Sequence, residues 1–196
     1  MSETILLVED ELDARVSLSR AIERAGYTCL SAASYDEALA LSPDGILSAS
    51  VVDIVLGDDD TGGLRLIPHL RSLPGRPPVI VITAFADVEK VKTALNAGAA
   101  YLLEKPFRAP QLLDVLARFA TDPGEFRQYI DAALSRARLT EKETSVARLL
   151  LKGLTSQEIA RVESNSEKTI RQHVSQIYAK CGVSSRAEFF HFVFPS

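Results

Sequence analysis

Residues 51–55 read Val-Val-Asp-Ile-Val, four apolar side chains around one carboxylate. A strand with one wet face alternates apolar and polar residues. A run that is apolar on both faces belongs in a parallel sheet covered by helices above and below. Residues 79–83, Val-Ile-Val-Ile-Thr, repeat the pattern. Working outward, further β-rich runs fall at 5–8, 28–32 and 101–103. Helical stretches lie between and after them, at about 12–25, 35–41, 63–72, 88–97 and 109–119. Five strands alternating with five helices predict a parallel, doubly wound α/β domain over 1–120. In such a sheet, ligands collect beyond the carboxyl ends of the strands.

After residue 120 the strand pattern stops. Thr121-Asp122-Pro123-Gly124 is a break, and 125–138 reads as one linker helix with Phe126, Tyr129, Ile130, Ala133 and Leu134 on one face. From 139 to 196 helix starts recur. Thr140 with Glu143, Thr155 with Glu158 and Ser185 with Glu188 have capping-box spacing, Ser166 is a further N-cap, and Gly182 is a helix stop. The expectation is a small all-α domain of four helices, at about 141–151, 156–162, 167–181 and 186–194.

Composition excludes several classes. The chain is 46% hydrophobic and 24% charged, which rules out a disordered protein. No apolar run approaches the ~20 residues of a membrane span, and the acidic start MSETILLVEDE is not a signal peptide. Cys29 and Cys181 stand far apart and make neither a disulfide framework nor a zinc site, so a cytoplasmic location is expected. Residues 1–121 hold 11 basic against 17 acidic residues, and residues 139–196 hold 8 against 6. An acidic front and a mildly basic back hint at a polyanion-binding tail.

The residues just past the strand runs carry the chemistry. Glu9 and Asp10, Asp53, Thr83 and Lys105 would converge on one sheet edge. Crowded carboxylates call for a cation, and hard oxygen ligands beside a phosphate suit Mg2+. A carboxylate held there can act as a nucleophile toward a phosphoryl group. Lys105 would pair with a phosphoryl oxygen and Thr83 would donate to one.

Through Val8-Glu9-Asp10-Glu11, Val52-Asp53, Val81-Ile82-Thr83-Ala84, Gly98-Ala99 and Glu104-Lys105-Pro106-Phe107, residues 1–120 resemble the receiver domain of two-component response regulators. The resemblance implies that Asp53 is the phosphoacceptor. Glu9, Asp10, Asp53 and the backbone carbonyl of Val55 would hold Mg2+, and Thr83 and Lys105 would contact the phosphoryl group. Three departures stand out. Gly57 takes the usual proline position four residues past the acceptor, in an acidic loop, Asp58-Asp59-Asp60, about two residues longer than usual. That loop reads as a solvated turn, a partner-docking edge or a source of extra metal affinity. The usual switch aromatic, three residues before the lysine, is Leu102, with Tyr101 one place earlier on the opposite strand face. Val55 and Phe85 would flank the phosphoryl group and shield it from water.

In the tail, Ile170, Val174, Ile177 and Cys181 form one apolar stripe on helix 167–181, and Lys168, Arg171, Gln172 and Ser175 fall off it. A short helix, a turn and a longer helix with a polar, basic face make a helix-turn-helix, whose second helix enters the major groove. Arg and Gln there can read guanine and adenine edges. Arg161, Lys168 and Lys180 suit phosphates. Leu139-Thr140, Gly153-Leu154-Thr155, Glu158-Ile159-Ala160, Ser166, Thr169-Ile170-Arg171, His173 and Lys180 with Gly182-Val183-Ser184-Ser185-Arg186 resemble the LuxR/FixJ-type DNA-binding domain. The turn usually carries Leu and Ile, where this chain has Glu163 and Asn165; either Val162 packs instead or the turn is less rigid. Phe189, Phe192 and Val193, in a run that ends at Phe194, are expected to pair with a second copy.

Together the two resemblances imply a DNA-binding transcription regulator, not a turnover enzyme. Its partners would be a sensor histidine kinase, double-stranded DNA, RNA polymerase and, on phosphorylation, a second copy of the chain, with no membrane. The alternatives are a regulator whose receiver is uncoupled, favoured by Leu102, and a protein-interaction adaptor. A phosphohydrolase would need a general acid at Val55.

Overall fold

The computed structural model describes residues 3–41, 47–84, 87–119 and 123–193, with the side chains of 123–129, 187 and 191 set aside. Phe85 and Phe194 lie outside the described residues. The chain divides into two compact units, Met1–Pro123 and Gly124–Ser196.

The first unit is a five-stranded parallel sheet in the order β2-β1-β3-β4-β5, made of β1 (Thr4–Val8), β2 (Thr28–Ala32), β3 (Ala49–Asp53), β4 (Val79–Thr83) and β5 (Tyr101–Glu104). The helices of this unit are α1 (Leu12–Arg24), α2 (Tyr35–Ala40), α3 (Gly62–Ser72), α4 (Val88–Ala97) and α5 (Ala109–Phe119). The strands β3 and β4 are buried along their whole length. Both therefore lie between helical layers, as apolar runs without alternation require.

The largest departure from the expected strand boundaries is at β3. β3 runs over Ala49–Asp53 and not 51–55. Its pairing with β1 begins at Ala49 and its pairing with β4 ends at Asp53 opposite Ile82. Ala49 and Ser50 look too small or polar for a strand start, yet both are fully buried. The shift places Asp53 at the last strand position, where the chain turns out of the sheet.

That turn depends on Gly63. Its N–H donates to the Ile54 carbonyl at 3.0 Å. A Cβ at Gly63 would lie 1.8 Å from the Asp53 carbonyl oxygen. The start of α3 thus rests directly on the backbone that presents Asp53, and the acidic loop sets this glycine ten residues after Asp53.

The second unit is all-helical: α6 (Pro123–Arg136), α7 (Glu141–Leu151), α8 (Ser156–Val162), α9 (Glu167–Cys181) and α10 (Arg186–Val193). α6, read from sequence as a linker, buries Ala133 and Leu134, and Asp131 pairs with Arg148 of α7 at 2.7 Å. Its contacts group it with the helical unit. Capping boxes close the starts of α7 and α8 in both directions. At α10 the box is split. Ser185 Oγ accepts the Glu188 N–H at 3.2 Å, while the Glu188 carboxylate accepts from the Ser184 N–H at 2.8 Å.

Replacing Gly63 with Ala should destabilise the first unit by about 3 kcal/mol, since neither the Asp53 backbone nor α3 can give way without moving the other. Urea unfolding followed on the sheet-containing unit checks this; an unchanged midpoint would contradict the close approach.

Candidate functional site

The register of the sheet brings the sequence-selected residues of the first unit together. Glu9 follows β1, Asp53 ends β3 and Thr83 ends β4 beside Glu104 of β5. The Lys105 backbone N–H donates to the Thr83 carbonyl at 2.8 Å, and the Lys105–Pro106 peptide is cis. Glu9, Asp53 and Thr83 are all buried, while Asp10 is exposed.

Lys105 Nζ lies 2.5 Å from Asp53 Oδ2 and 3.1 Å from Glu9 Oε2. The other Asp53 oxygen, Oδ1, accepts the Val55 N–H at 3.2 Å. Carboxylate oxygens of Glu9, Asp10 and Asp53 all lie within 4.8 Å of one another. Burial, and then the Asp53 charge, push the Glu9 carboxyl above its usual range despite Lys105. Burial works against the Lys105 charge, but Asp53 and Glu9 outweigh it and hold the ammonium above its usual value. A single ammonium thus balances two buried carboxylates. The donor set of hard oxygens and its surplus of negative charge fit Mg2+. Val55 stands at the rim with 37% of its surface exposed.

One residue here escaped the sequence reading. Arg15 Nη1 of α1 donates to the Glu9 carbonyl at 2.6 Å and to the Asp10 carbonyl at 2.9 Å, fixing the loop that presents both acids. Its only sequence signal is its place one turn into the helix after Glu9-Asp10.

In the acidic loop Asp58 and Asp60 are exposed and Asp59 is half-buried. Asp59 pairs with Arg65 of α3, and Asp60 pairs with Lys90 of α4 at 2.9 Å. Leu102 is buried in β5. Tyr101 packs edge-on against Phe119 of α5, with ring centroids 6.1 Å apart.

In the second unit, α9 shows the stripe expected of it. Ile170, Ile177 and Cys181 are buried and Val174 is half-buried, while Lys168, Arg171, Gln172, Ser175 and Lys180 are exposed with Thr169 half-buried. Thr169 Oγ1 lies 2.7 Å from the N-cap Ser166 hydroxyl. Arg171 pairs with Glu167 one turn earlier at 2.7 Å. Lys180 has a partner inside the unit: Nζ lies 2.6 Å from Glu143 Oε2, so it ties the end of α9 to the start of α7. Arg186 Nη2 and Nη1 donate to the Leu150 and Leu154 carbonyls at 2.6 and 3.1 Å, a second clamp the sequence did not announce.

The pairing face expected at Phe189, Phe192 and Val193 is corrected at Phe189 and Val193, while Phe192 stays half-buried. Phe189 and Val193 are fully buried inside the unit, Phe189 against Tyr178, and the Phe192 ring lies under the Arg136 guanidinium at 5.7 Å. Phe189 and Val193 belong to the core of the helical unit, where α10 packs on α9.

The turn between α8 and α9 is also resolved. Val162 is only half-buried. Glu163, at the C-cap of α8, is held by Lys142 and by Ser145 Oγ, the latter at 2.7 Å, both from α7. Ser164 follows at φ 50°. The Asn165 N–H donates to the Ala160 carbonyl at 2.8 Å and the Ser164 N–H to the Arg161 carbonyl at 3.3 Å, a Schellman closure with serine in the glycine place.

Comparison with known proteins agrees with both units. Residues 5–117 match the response regulator receiver domain, and residues 137–193 match the LuxR family of bacterial regulatory proteins. The chain is 30% identical to the transcriptional regulatory protein FixJ of Rhizobium meliloti, over 93% of this chain and 90% of that one. It is also 30% identical to the transcriptional regulatory protein UhpA of Salmonella typhimurium, over 97% of each. The crystal structure of full-length FixJ from B. japonicum shares the fold with a TM-score of 0.55 at 22% identity, covering 98% of this chain and 96% of that one.

Hydrogen bonds from Lys180 and from the Thr140 N–H hold the Glu143 carboxyl below its usual range. Stability from this group is therefore present above the unfolded carboxylate pKa and is lost as pH falls through the lower folded value. Glu143→Gln should cost the helical unit about 1–3 kcal/mol at pH 7 and flatten its loss of stability below pH ~4.5. Thermal melts across pH check this; parallel pH profiles would contradict it.

Proposed function

The chain belongs to the two-component response regulators that join a receiver domain to a LuxR-type helix-turn-helix, and from this we propose that phosphorylation of Asp53 by a sensor histidine kinase controls its binding to DNA. The observation that carries the reading is the Asp53 carboxylate in contact with Lys105, within a cluster of Glu9 and Asp10 oxygens. Glu9, Asp10, Asp53 and the Val55 carbonyl would hold Mg2+, which when bound offsets negative charge on the transferring phosphoryl oxygens. Asp53 attacks phosphorus and the bond to the donor breaks. Lys105, already held at the site, would turn from a carboxylate partner into a partner of the phosphoryl oxygens, and Thr83 would donate to one. Arg15 keeps the Glu9-Asp10 loop in place throughout. Val55, at the rim, and Phe85 keep the attacking water away from the phosphoryl-aspartate.

Phosphorylation would then alter the α4–β5 surface or its coupling to the helical unit, favouring a homodimer. In the helical unit, Arg171 and Gln172 on the exposed face of α9 would read bases, and Lys168, Thr169 and Ser175 would contact the backbone. Lys180 is held by Glu143, so its first role is to hold α9, and any phosphate contact would use its remaining donors. Cytoplasmic action with RNA polymerase follows from the same reading. A second reading, DNA binding that ignores phosphorylation, is favoured by one observation: Tyr101 is docked on Phe119, and Leu102, in the usual switch place, carries no aromatic ring.

Incubation with acetyl phosphate and Mg2+, followed by intact-mass measurement, should add one phosphoryl group to the wild type and none to Asp53→Asn. Equal labelling of both would move the acceptor elsewhere. The phosphoryl group on Val55→Asn should decay several-fold faster than on the wild type; an unchanged half-life would remove the shielding role.

A further inference from the structure

The α8–α9 turn has lost the apolar residues that usually lock the two helices. A polar device stands in their place. Glu163 ends α8 and leaves only 17% of its side chain exposed. A carboxylate so placed is costly unless it is paired. It is paired twice, with Lys142 and with Ser145 Oγ, and both partners come from α7. Burial works against its charge, yet these bonds and His173 of α9 hold its carboxyl below the usual range. Beyond it the chain takes the left-handed Ser164 conformation and enters α9 at Ser166. The only covalent path from α8 to the exposed face of α9 therefore runs through the residue that α7 grips.

We infer that Glu163, clamped by Lys142 and Ser145, is a positioning residue that sets how α9 is presented to DNA. This rests on the DNA-binding reading and goes beyond it, because it places a determinant of specificity away from the DNA-facing surface. The clamp touches neither Arg171 nor Gln172. It should act on the fit of α9 to base edges, not on the general attraction of the unit to phosphates.

A polar pair has a distinctive signature. Removing one partner leaves a half-buried charge unpaired, whereas replacing both with apolar residues can be nearly neutral. A Lys142 that contacted DNA phosphates would show no such recovery. The full-length protein, activated with beryllofluoride and Mg2+, is first used to select a DNA site from a random pool. Affinity for that site and for an unrelated duplex is then measured at fixed salt. Lys142→Met should weaken binding to the selected site about tenfold, with the unrelated duplex changed by less than about twofold. Adding Glu163→Leu to Lys142→Met should restore specific binding to within about threefold of wild type. Ser145→Ala, a milder change that keeps the ion pair, should lose about threefold in specific binding alone, and it decides the matter if Lys142→Met does not fold. Wild-type specificity in Ser145→Ala, or equal losses in the Lys142→Met single and double variants, would overturn the clamp. A wild type that selects no sequence would instead overturn the DNA-binding reading beneath it.

Discussion

Like charges confined to one sheet edge are the constraint on which the first unit depends. Glu9 and Asp53 are buried side by side, and Asp10 lies within reach of both. Left alone they would repel one another strongly in a poorly solvated place. Lys105 answers that repulsion from within the chain, at 2.5 Å from Asp53. The parallel register makes this pairing inevitable, because the ends of β1, β3, β4 and β5 fall on one edge. The same excess of negative charge gives the pocket a donor set that fits a divalent cation.

Backbone geometry holds Asp53 as well as charge does. Gly63 lets α3 press against the Asp53 carbonyl, and Arg15 fixes the carbonyls of Glu9 and Asp10. The acidic loop between them is tied to α3 and α4 through Asp59 with Arg65 and Asp60 with Lys90. α3 thus touches the Asp53 backbone directly, and the Asp60–Lys90 pair links α4 to the loop that follows Asp53. In the helical unit the same logic recurs with different parts. Lys180 with Glu143, Arg186 with the α7 end, and Glu163 with Lys142 all bind other helices to α7.

Much of this was legible in the sequence, and the failures are instructive. Five apolar runs and the residues after them gave the sheet, its winding and the acidic pocket, because strand burial and strand-end chemistry are written locally. The start of β3 was misplaced because Ala49 and Ser50 are buried by partners in β1 and β4, not by their own hydrophobicity. Phe189 and Val193 look like a surface pair because an aromatic run near the chain end does not show what it packs against, yet both are fully buried inside the helical unit, Phe189 against Tyr178. Asp59, Asp60, Glu163 and Lys180 have partners between 6 and 37 residues away or on another helix, and a charge's distant partner is invisible to spacing rules. Glu163 is the clearest case. Its sequence shows only a missing leucine, and the fold shows what replaced it.

The central claim is that occupancy of the Asp53 pocket changes how the helical unit engages DNA. The most direct measurement compares solution mass and affinity for a selected DNA site with and without beryllofluoride and Mg2+, in the wild type and in Asp53→Asn. Coupling between the units predicts that the wild type gains mass and affinity on activation while Asp53→Asn gains neither. A wild type whose mass and affinity stay the same in both states would show that the pocket and the DNA-binding helix work independently.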